Sequence, residues 1–282
     1  METSLDCIPC FLRQTLSAAS LVSEDRTVHE RILRDVLKWC SEMDLKKPAP
    51  FMAQRIHRRL RDLLDSDDPY KEIKRSQNAM ALSLLDYLES ILDEAKDRLL
   101  AASKLAIAGN VIDLGVSDNV EQKDILFAIE ESMKVEVLGD FQGFRAAIDD
   151  AKMILYLTDN AGEIVFDSLL LRELPRHKLC AAVRGAPVIN DATIEDAKAV
   201  GLTDLLSVVS NGSDAPATLL EDCSEEFQRL FAKADLIIAK GQGNFESLSD
   251  CRKRIFFLFK AKCPVIASSA GVPLGAQVLR KL

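Results

Sequence analysis

Residues 154–167 read ILYLTDNAGEIVFD. A run of four apolar residues, long enough for a strand, gives way to Asp159 and Asn160, then to Gly162 and a segment with helical period. Strand, polar turn and helix in that order suggest one unit of an α/β sheet. In such sheets ligands bind beyond the carboxyl ends of the strands, which is where Asp159 and Asn160 would sit.

Outward from this stretch, apolar runs of similar length recur at Val135 to Leu138, Lys178 to Val183, Leu205 to Val209, Leu236 to Ala239 and Val265 to Ala267, with Met153 to Leu157 as the quoted one. Segments of helical period, such as Glu163 to Leu174 and Ala217 to Ala232, lie between them. Alternation of this kind predicts an α/β fold with a mostly parallel sheet covered on both faces. From Asp6 to about Ser103 the pattern is purely helical, as in Ile32, Leu33, Val36, Leu37 and in Met80, Leu84, Leu85, Leu88, Ile91, Leu92. Four or five helices are expected before Leu105. Asp68 would cap one that starts with Pro69, and Lys46-Lys47-Pro48-Ala49-Pro50 would break the one before it. The chain therefore divides into a helical subdomain, 1–104, and an α/β domain, 105–282, with the junction somewhere in 100–120. No internal repeat or low-complexity segment interrupts this plan.

With 282 residues, 48% of them hydrophobic, the chain can bury a substantial core. Its formal charge of −8 opposes a phosphate backbone, and Arg55, Arg58, Arg59 and Arg61 are followed at once by Asp62, Asp65, Asp67 and Asp68, as on a solvated helix face. No nucleic-acid partner is expected. No apolar run approaches the roughly 20 residues that span a bilayer, and no signal pattern opens the chain, so a cytoplasmic protein without a membrane partner is expected. Seven cysteines in a chain of this length do not make a disulfide framework, and most should be reduced.

The site gathers around the strand ends. The helix after Asn160 should begin near Ala161 or Gly162 and turn free N–H groups toward the same space, favouring an anion, with Glu163 as a further acid. Taken alone, Asp-Asn before a helix is usually just an N-cap. The next strand adds to it: CAAVRGAPVINDATIEDA, residues 180–197, carries Arg184, Asn190 and Asp191 at its own carboxyl end. Two carboxylates and an amide oxygen are hard donors suited to Mg²⁺ or Mn²⁺, and able to hold Co²⁺ or Ni²⁺. A metal there would polarise a phosphoryl oxygen and activate water. Gly109-Asn110-Val111-Ile112-Asp113, Lys240-Gly241-Gln242-Gly243-Asn244-Phe245-Glu246 and Lys260-Ala261-Lys262 fit the same edge, although each alone could be only a turn.

The combination of Asp159-Asn160-Ala161-Gly162-Glu163, Asn190-Asp191, Gly109-Asn110 with Asp113, and Gly241-Gln242-Gly243-Asn244-Phe245-Glu246 resembles the metal-dependent damage-control phosphatases, also known as domain of unknown function 89. Cys7-Ile8-Pro9-Cys10 resembles the Cys-x-x-Cys of that family's prokaryotic branch. The resemblance spans nearly the whole chain. It implies a helical bundle packed on a three-layer α/β/α domain, and hydrolysis of phosphate monoesters of small metabolites, such as sugar phosphates or damaged metabolite and cofactor phosphates. It also implies a divalent metal ion (Mn, Co, Ni or Mg) held by Asp159, Asn160 and Asp191. Lys260 would contact the substrate phosphate, where a cation offsets charge that moves during phosphoryl transfer. Asn110, Asp113, Glu163 and Asn244 would line the pocket. Asp159 could serve purely as a ligand while water attacks, or could itself attack phosphorus; both routes stay open.

Other chemistries have less support. Cys7 and Cys10 admit a structural role at a helix end, a soft-metal site lacking two ligands, or a redox pair. His29, His57 and His177 have no ligand spacing and are expected to pack. No Gly-x-Ser-x-Gly elbow or dinucleotide fingerprint is present. Two alternatives to a phosphatase remain. One is an S-adenosylmethionine-dependent carboxyl methyltransferase, an activity proposed for the family's eukaryotic branch; the other is a non-catalytic metal- or metabolite-binding protein. Metal-dependent phosphate release distinguishes the first reading from both. The number of subunits is not written in the sequence.

Overall fold

The computed structural model describes residues 1–109 and 122–281. Asn110 and Asp113 lie outside the described residues. The chain opens with α1 (Cys7–Val22), α2 (Arg26–Glu42), α3 (Ala49–Leu64), α4 (Lys71–Ser83), α5 (Leu85–Glu94) and α6 (Arg98–Ala108). Apolar residues at three- and four-residue spacing put Ile32 and Val36 of α2, and Met52, Ile56 and Leu60 of α3, on single faces. Those faces meet Phe11 and Ala19 of α1 in one cluster.

Six helices begin before Leu105 where four or five were expected, because the apolar stripe from Met80 to Leu92 hides a break at Leu84. α4 also starts later than Pro69. Asp68 instead accepts a hydrogen bond from the Tyr70 N–H at 3.1 Å, bracing the turn before the helix.

The rest of the described chain runs α7 (Gln122–Lys134), β1 (Val137–Gly139), α8 (Phe141–Asp150), β2 (Ile154–Leu157), α9 (Glu163–Arg172), β3 (Leu179–Val183), α10 (Ile194–Ala199), α11 (Leu202–Leu205), β4 (Ser207–Ser210), α12 (Glu225–Lys233), β5 (Leu236–Lys240), α13 (Gly241–Leu248), β6 (Ile255–Lys260), α14 (Pro264–Ala270) and β7 (Gln277–Lys281). The strands form one sheet in the order β1-β7-β6-β5-β2-β3-β4. β2 to β6 are parallel, while β7 runs antiparallel to β6 and pairs in parallel with β1.

Strand alternation divides the core into two layers. Ile154 and Tyr156 of β2, with Ile238, Phe256 and Leu258, face α4, α5, α6, α8 and α9. Leu155 and Leu157, with Ile237, Phe257 and Phe259, face α12, α13 and α14. The result is a three-layer α/β/α arrangement with the central strands buried on both sides. In α6, Ala101, Ala102, Leu105, Ala106 and Ile107 belong to the sheet's own core, as do Leu88 and Leu92 of α5.

Val265 to Ala267 is a correction: these residues form part of α14, not a strand. Pro264 sits in the first turn of α14, where its missing N–H costs nothing. The expected helix from Ala217 to Ala232 is confined, at its helical end, to α12.

From β2 the chain moves outward through β3 to β4, then returns to β5 on the other flank of β2 and continues to β6. The direction of winding reverses between β2 and β5. In open α/β sheets ligands bind at such a switch point, beyond the carboxyl ends of the strands.

Candidate active site

Backbone pairing assembles the strand ends at this switch point. Beyond β2, the Thr158 N–H donates to the Ala182 carbonyl at 3.1 Å, extending the pairing with β3. Asn160 and Asp191 then form an isolated antiparallel bridge. The Ala161 N–H donates to the Asn190 carbonyl at 2.7 Å, and the Ala192 N–H to the Asp159 carbonyl at 2.8 Å. The loops after β2 and β3 are thus laced together, which brings Asp159, Asn160 and Asp191 to one place.

β5 closes the third side. Gly241 has φ +78°, and a Cβ on it would stand 1.9 Å from Asp159 Oδ2. Only glycine lets the start of α13 lie against that carboxylate.

Negative charge dominates here. Arg184, 2% exposed, donates from Nε to Asp191 Oδ2 at 2.6 Å, while its Nη2 lies 3.6 Å from Asp159 Oδ1 and has no hydrogen-bond partner. Burial drives the Asp159 carboxyl well above its ordinary pKa, Glu163 and Asp191 push it further, and Arg184 and Lys262 only partly offset them. Burial also raises Asp191, against the pull of Arg184. Asp159 is the least enclosed of these acids, with 16% of its side chain exposed, so a ligand can reach it.

Glu163 is anchored from below. Fully buried Lys240, at the end of β5, contacts Glu163 Oε1 and Asp167 Oδ1, each at 2.7 Å. Burial opposes the ammonium charge, but the two acids outweigh it and hold Lys240 protonated. The other Glu163 oxygen accepts a long hydrogen bond, 3.4 Å, from Asn160 Nδ2.

Free N–H groups were expected at the start of α9, and the structure corrects this. The Gly162 N–H donates to Asn78 Oδ1 of α4 at 2.7 Å, the Ala161 N–H is spent on Asn190, and the N–H groups of Glu163 and Ile164 bond to the carbonyls of Ala161 and Asn160. A helical residue distant in sequence fills the place reserved for an anion. Asn78 is itself held by Asp196, which also contacts buried Lys74.

Asn244 lies fully buried beneath the floor. Its Nδ2 donates to the carbonyls of Thr158 and Lys240, and its Oδ1 accepts from Thr218 Oγ1, so it ties β2, β5 and the loop after β4 together. Lys260 is exposed at the end of β6. It is Lys262, two residues on, whose charge acts on Asp159.

The loop after β4 forms the remaining wall. Ala217, at φ +100°, holds a backbone conformation rare for residues with a Cβ, and its N–H donates to Asp191 Oδ2 at 3.4 Å. The loop is clamped to α3 through Asp214, which accepts from Gln54 Nε2 at 2.6 Å, from Arg58 Nε at 2.9 Å and from Arg61.

Arg184 and Lys240 stand in the quoted stretches, yet their roles were not read from them. A charged residue within or ending an apolar strand run was the available signal. Asn78 had none, because its contact spans 84 positions.

Among the described residues no three Asp, Glu, His or Cys side chains converge closely enough to hold a metal by themselves. A cation here would rest on the Asp159 and Asp191 carboxylates and the Asn160 amide oxygen, with water completing the shell. Buried acids that outnumber their cations, all with oxygen donors, fit a hard divalent ion.

The Damage-control phosphatase ARMT1-like domain family model matches residues 3–278. A damage-control phosphatase of Pyrococcus horikoshii is 37% identical over 284 residues, covering 99% of this chain and 97% of that protein. A damage-control phosphatase of Archaeoglobus fulgidus is 35% identical over 290 residues, covering 99% of each. The crystal structure of a DUF89 family protein from Pyrococcus horikoshii superposes with a TM-score of 0.90 at 34% identity, covering 100% of this chain and 99% of that one.

Proposed function

The chain belongs to the damage-control phosphatase family, and from that premise we propose that it hydrolyses phosphate monoesters of small metabolites, sugar phosphates or damaged metabolite and cofactor phosphates, with a divalent metal held by Asp159, Asn160 and Asp191. The observation that carries this reading is the charge imbalance at the switch point. Asp159 and Asp191 share a single buried guanidinium, that of Arg184, and Glu163, though paired with Lys240, adds its negative charge at Asp159, whose side chain stays partly exposed.

A bound divalent ion would polarise a phosphoryl oxygen and lower the pKa of a water at that site. The chain's own groups would do the rest. Arg184 fixes Asp191 through Nε and turns an unpartnered Nη2 toward Asp159, where it can donate to a phosphoryl oxygen. Lys262 brings a second positive charge to the same side, and the positive end of α13 adjoins Asp159 through Gly241. Lys240 keeps Glu163 from swinging away, leaving its second oxygen beside Asn160 to accept a proton from an attacking water.

The test is phosphate release from p-nitrophenyl phosphate and a panel of sugar phosphates by metal-stripped protein resupplied with Mg²⁺, Mn²⁺, Co²⁺ or Ni²⁺. Turnover restored by metal and lost in Asp159→Ala and Asp191→Ala is expected. Folded protein that releases no phosphate with any of the four ions would overturn the proposal.

A further inference from the structure

Cys7 and Cys10 stand in the first turn of α1, three positions apart and therefore on one side of the helix, with Pro9 between them. The fold brings two further groups to them. Cys263, the residue before α14, and Glu246 of α13 both lie near enough to act electrostatically on Cys7 and on Cys10. The N-terminal segment is fastened over the same place. The Met1 ammonium donates to the Glu246 carbonyl at 2.7 Å and pairs with Asp250 at 3.0 Å. Cys7 packs on the cluster formed by α1, α2 and α3, and Cys263 on the cluster beneath α12, α13 and α14, so the thiols mark the seam between them.

We propose that Cys7 and Cys10 are a reversible dithiol–disulfide pair that exchanges with small-molecule disulfides, with Glu246 as the proton acceptor and Cys263 as a third thiol within reach of exchange. The geometry of a helical turn places the two Cα atoms roughly 5 Å apart, inside the roughly 4.4–6.8 Å span that a disulfide needs. Among the described residues these side chains do not converge tightly enough to share a metal ion, which separates the cluster from a structural zinc site.

Burial raises both thiols and the charges of Cys263 and Glu246 add to it, while a backbone hydrogen bond with Ser4 opposes this at Cys7 and Arg13 opposes it at Cys10. The reduced pair is therefore protonated at rest. Burial also pushes the Glu246 carboxyl up to about 7, with the Met1 ammonium opposing it, so the carboxylate is a base matched to neutral pH. In the forward reaction Glu246 takes the proton of one thiol and the thiolate attacks a disulfide RSSR. One RS⁻ leaves and a mixed disulfide forms. Glu246 passes the first proton to the departing RS⁻ and takes that of the second thiol, whose thiolate attacks the first cysteine's sulfur in the mixed disulfide and expels the second RS⁻. Two cysteine sulfurs are oxidised to one disulfide, RSSR is reduced to two thiols, and the two protons end on the departing thiolates.

The site adjoins the candidate active site without entering it. Cys263 follows Lys262, and Glu246 shares α13 with Gly241.

The test uses the full chain, equilibrated in buffers of defined reduced to oxidised glutathione ratio, alkylated, digested with trypsin and read by mass spectrometry. One peptide, Met1 to Arg13, carries both thiols. Under oxidising ratios it should lose both alkylation sites together and lie two hydrogens below the unalkylated reduced mass, returning to the alkylated form after dithiothreitol. Glu246→Gln, folded by circular dichroism, should slow oxidation at neutral pH by on the order of 10-fold to 100-fold, and Cys10→Ser should accumulate glutathione on Cys7. Absence of the internal disulfide at every ratio would overturn the proposal. So would a stoichiometric equivalent of zinc or iron in the purified protein that is lost in Cys7→Ser.

Discussion

Asp159 and Asp214 both sit in loops at the carboxyl edge of the sheet, and their surroundings drive them in opposite directions. Asp214 loses water on burial, yet Arg58, Gln54 and Arg61 donate to it, and their bonds hold its carboxyl down to about 2. Asp159 is driven up by burial and by Glu163 and Asp191, and Arg184, already bonded to Asp191, only partly offsets them. The first is an electrostatically closed clamp between α3 and the loop after β4. The second has been left short of positive charge. Clamps of the first kind hold a fold together, whereas buried like charges cost stability and persist where a ligand is to complete them.

The sharpest way to break this contrast is to remove Asp159. Asp159→Ala should lower metal-dependent phosphate release by about 10³-fold or more, the loss expected when a group that holds the reacting centre is removed. The same change should leave the thermal midpoint unchanged or raised by a few degrees, because a buried acid in repulsive surroundings disappears. A calorimetric scan beside the assay checks both. A fall in the midpoint would mean that Asp159 is structurally satisfied and that the comparison fails.

Lys240 tests the intermediate case, a buried cation shared by two acids. Lys240→Met would strand Glu163 and Asp167 without a partner and should cost roughly 3–5 kcal/mol in denaturant unfolding. Burial pushes the Asp167 carboxyl up to about 6 even with Lys240 present, so part of the loss will appear as protonation of this acid instead of unfolding. A cost below about 1 kcal/mol would show that the triad is not what positions Glu163.

The contrast also bears on what can be read from sequence. The runs at β2, β3 and β5 are legible because each is short, apolar and followed by polar residues, and the acids at their ends follow from the direction of a parallel strand. β6 is not legible as a strand, since residues 255–259 of IFFLFK are apolar without alternation to separate strand from helix. Val265 to Ala267 looked like a strand because a β-branched pair carries that preference, and the proline before it, a helix-start signal, outweighed it. The carboxylates Asp159 and Asp191 were legible; their charge balance was not. It depends on Arg184 turning toward them, on Asn78 arriving from α4, and on Lys262 rather than Lys260 supplying the nearby cation, all through-space facts that no local spacing encodes.

Acid should separate the two regions. Buried His57 on α3 accepts or donates at Nδ1 with Tyr70 Oη at 3.0 Å, and burial, aided by Arg61, lowers its pKa to about 3. Above 6.5 the ring is neutral in both states and its contribution is fully present. As pH falls from 6.5 toward 3 the unfolded chain takes up a proton that the folded one refuses, so stability declines. Between pH 7 and pH 5 this amounts to about 2 kcal/mol. Asp159 and Asp191 act with the opposite sign, since their raised folded pKa values mean that protonation relieves repulsion in the native state. His57→Gln should therefore flatten the acid decline, and Asp159→Asn should steepen it, in urea unfolding at pH 7, 6 and 5. Parallel slopes for the wild type and both variants would remove the electrostatic basis of the comparison.

The smallest effect belongs to the clamp itself. The Asp214 carboxyl is depressed from 3.8 to about 2, so its contribution is present above pH 3.8 and is lost as pH falls through 2. Water on the open side of the network screens it, which reduces the expected cost of Asp214→Asn to about 1 kcal/mol near neutral pH. The amide oxygen can still accept from one arginine, and the other then faces solvent, which is why the loss is modest. The informative readout is the split between stability and turnover. The loop that Asp214 anchors carries Ala217, whose N–H donates to Asp191, so loosening the clamp should raise KM or lower turnover by a few-fold while the protein stays folded. If Asp214→Asn lowers the unfolding midpoint and leaves turnover untouched, the clamp only joins α3 to the sheet. If turnover falls more than stability explains, the satisfied network is what keeps the wall of the unsatisfied one in place.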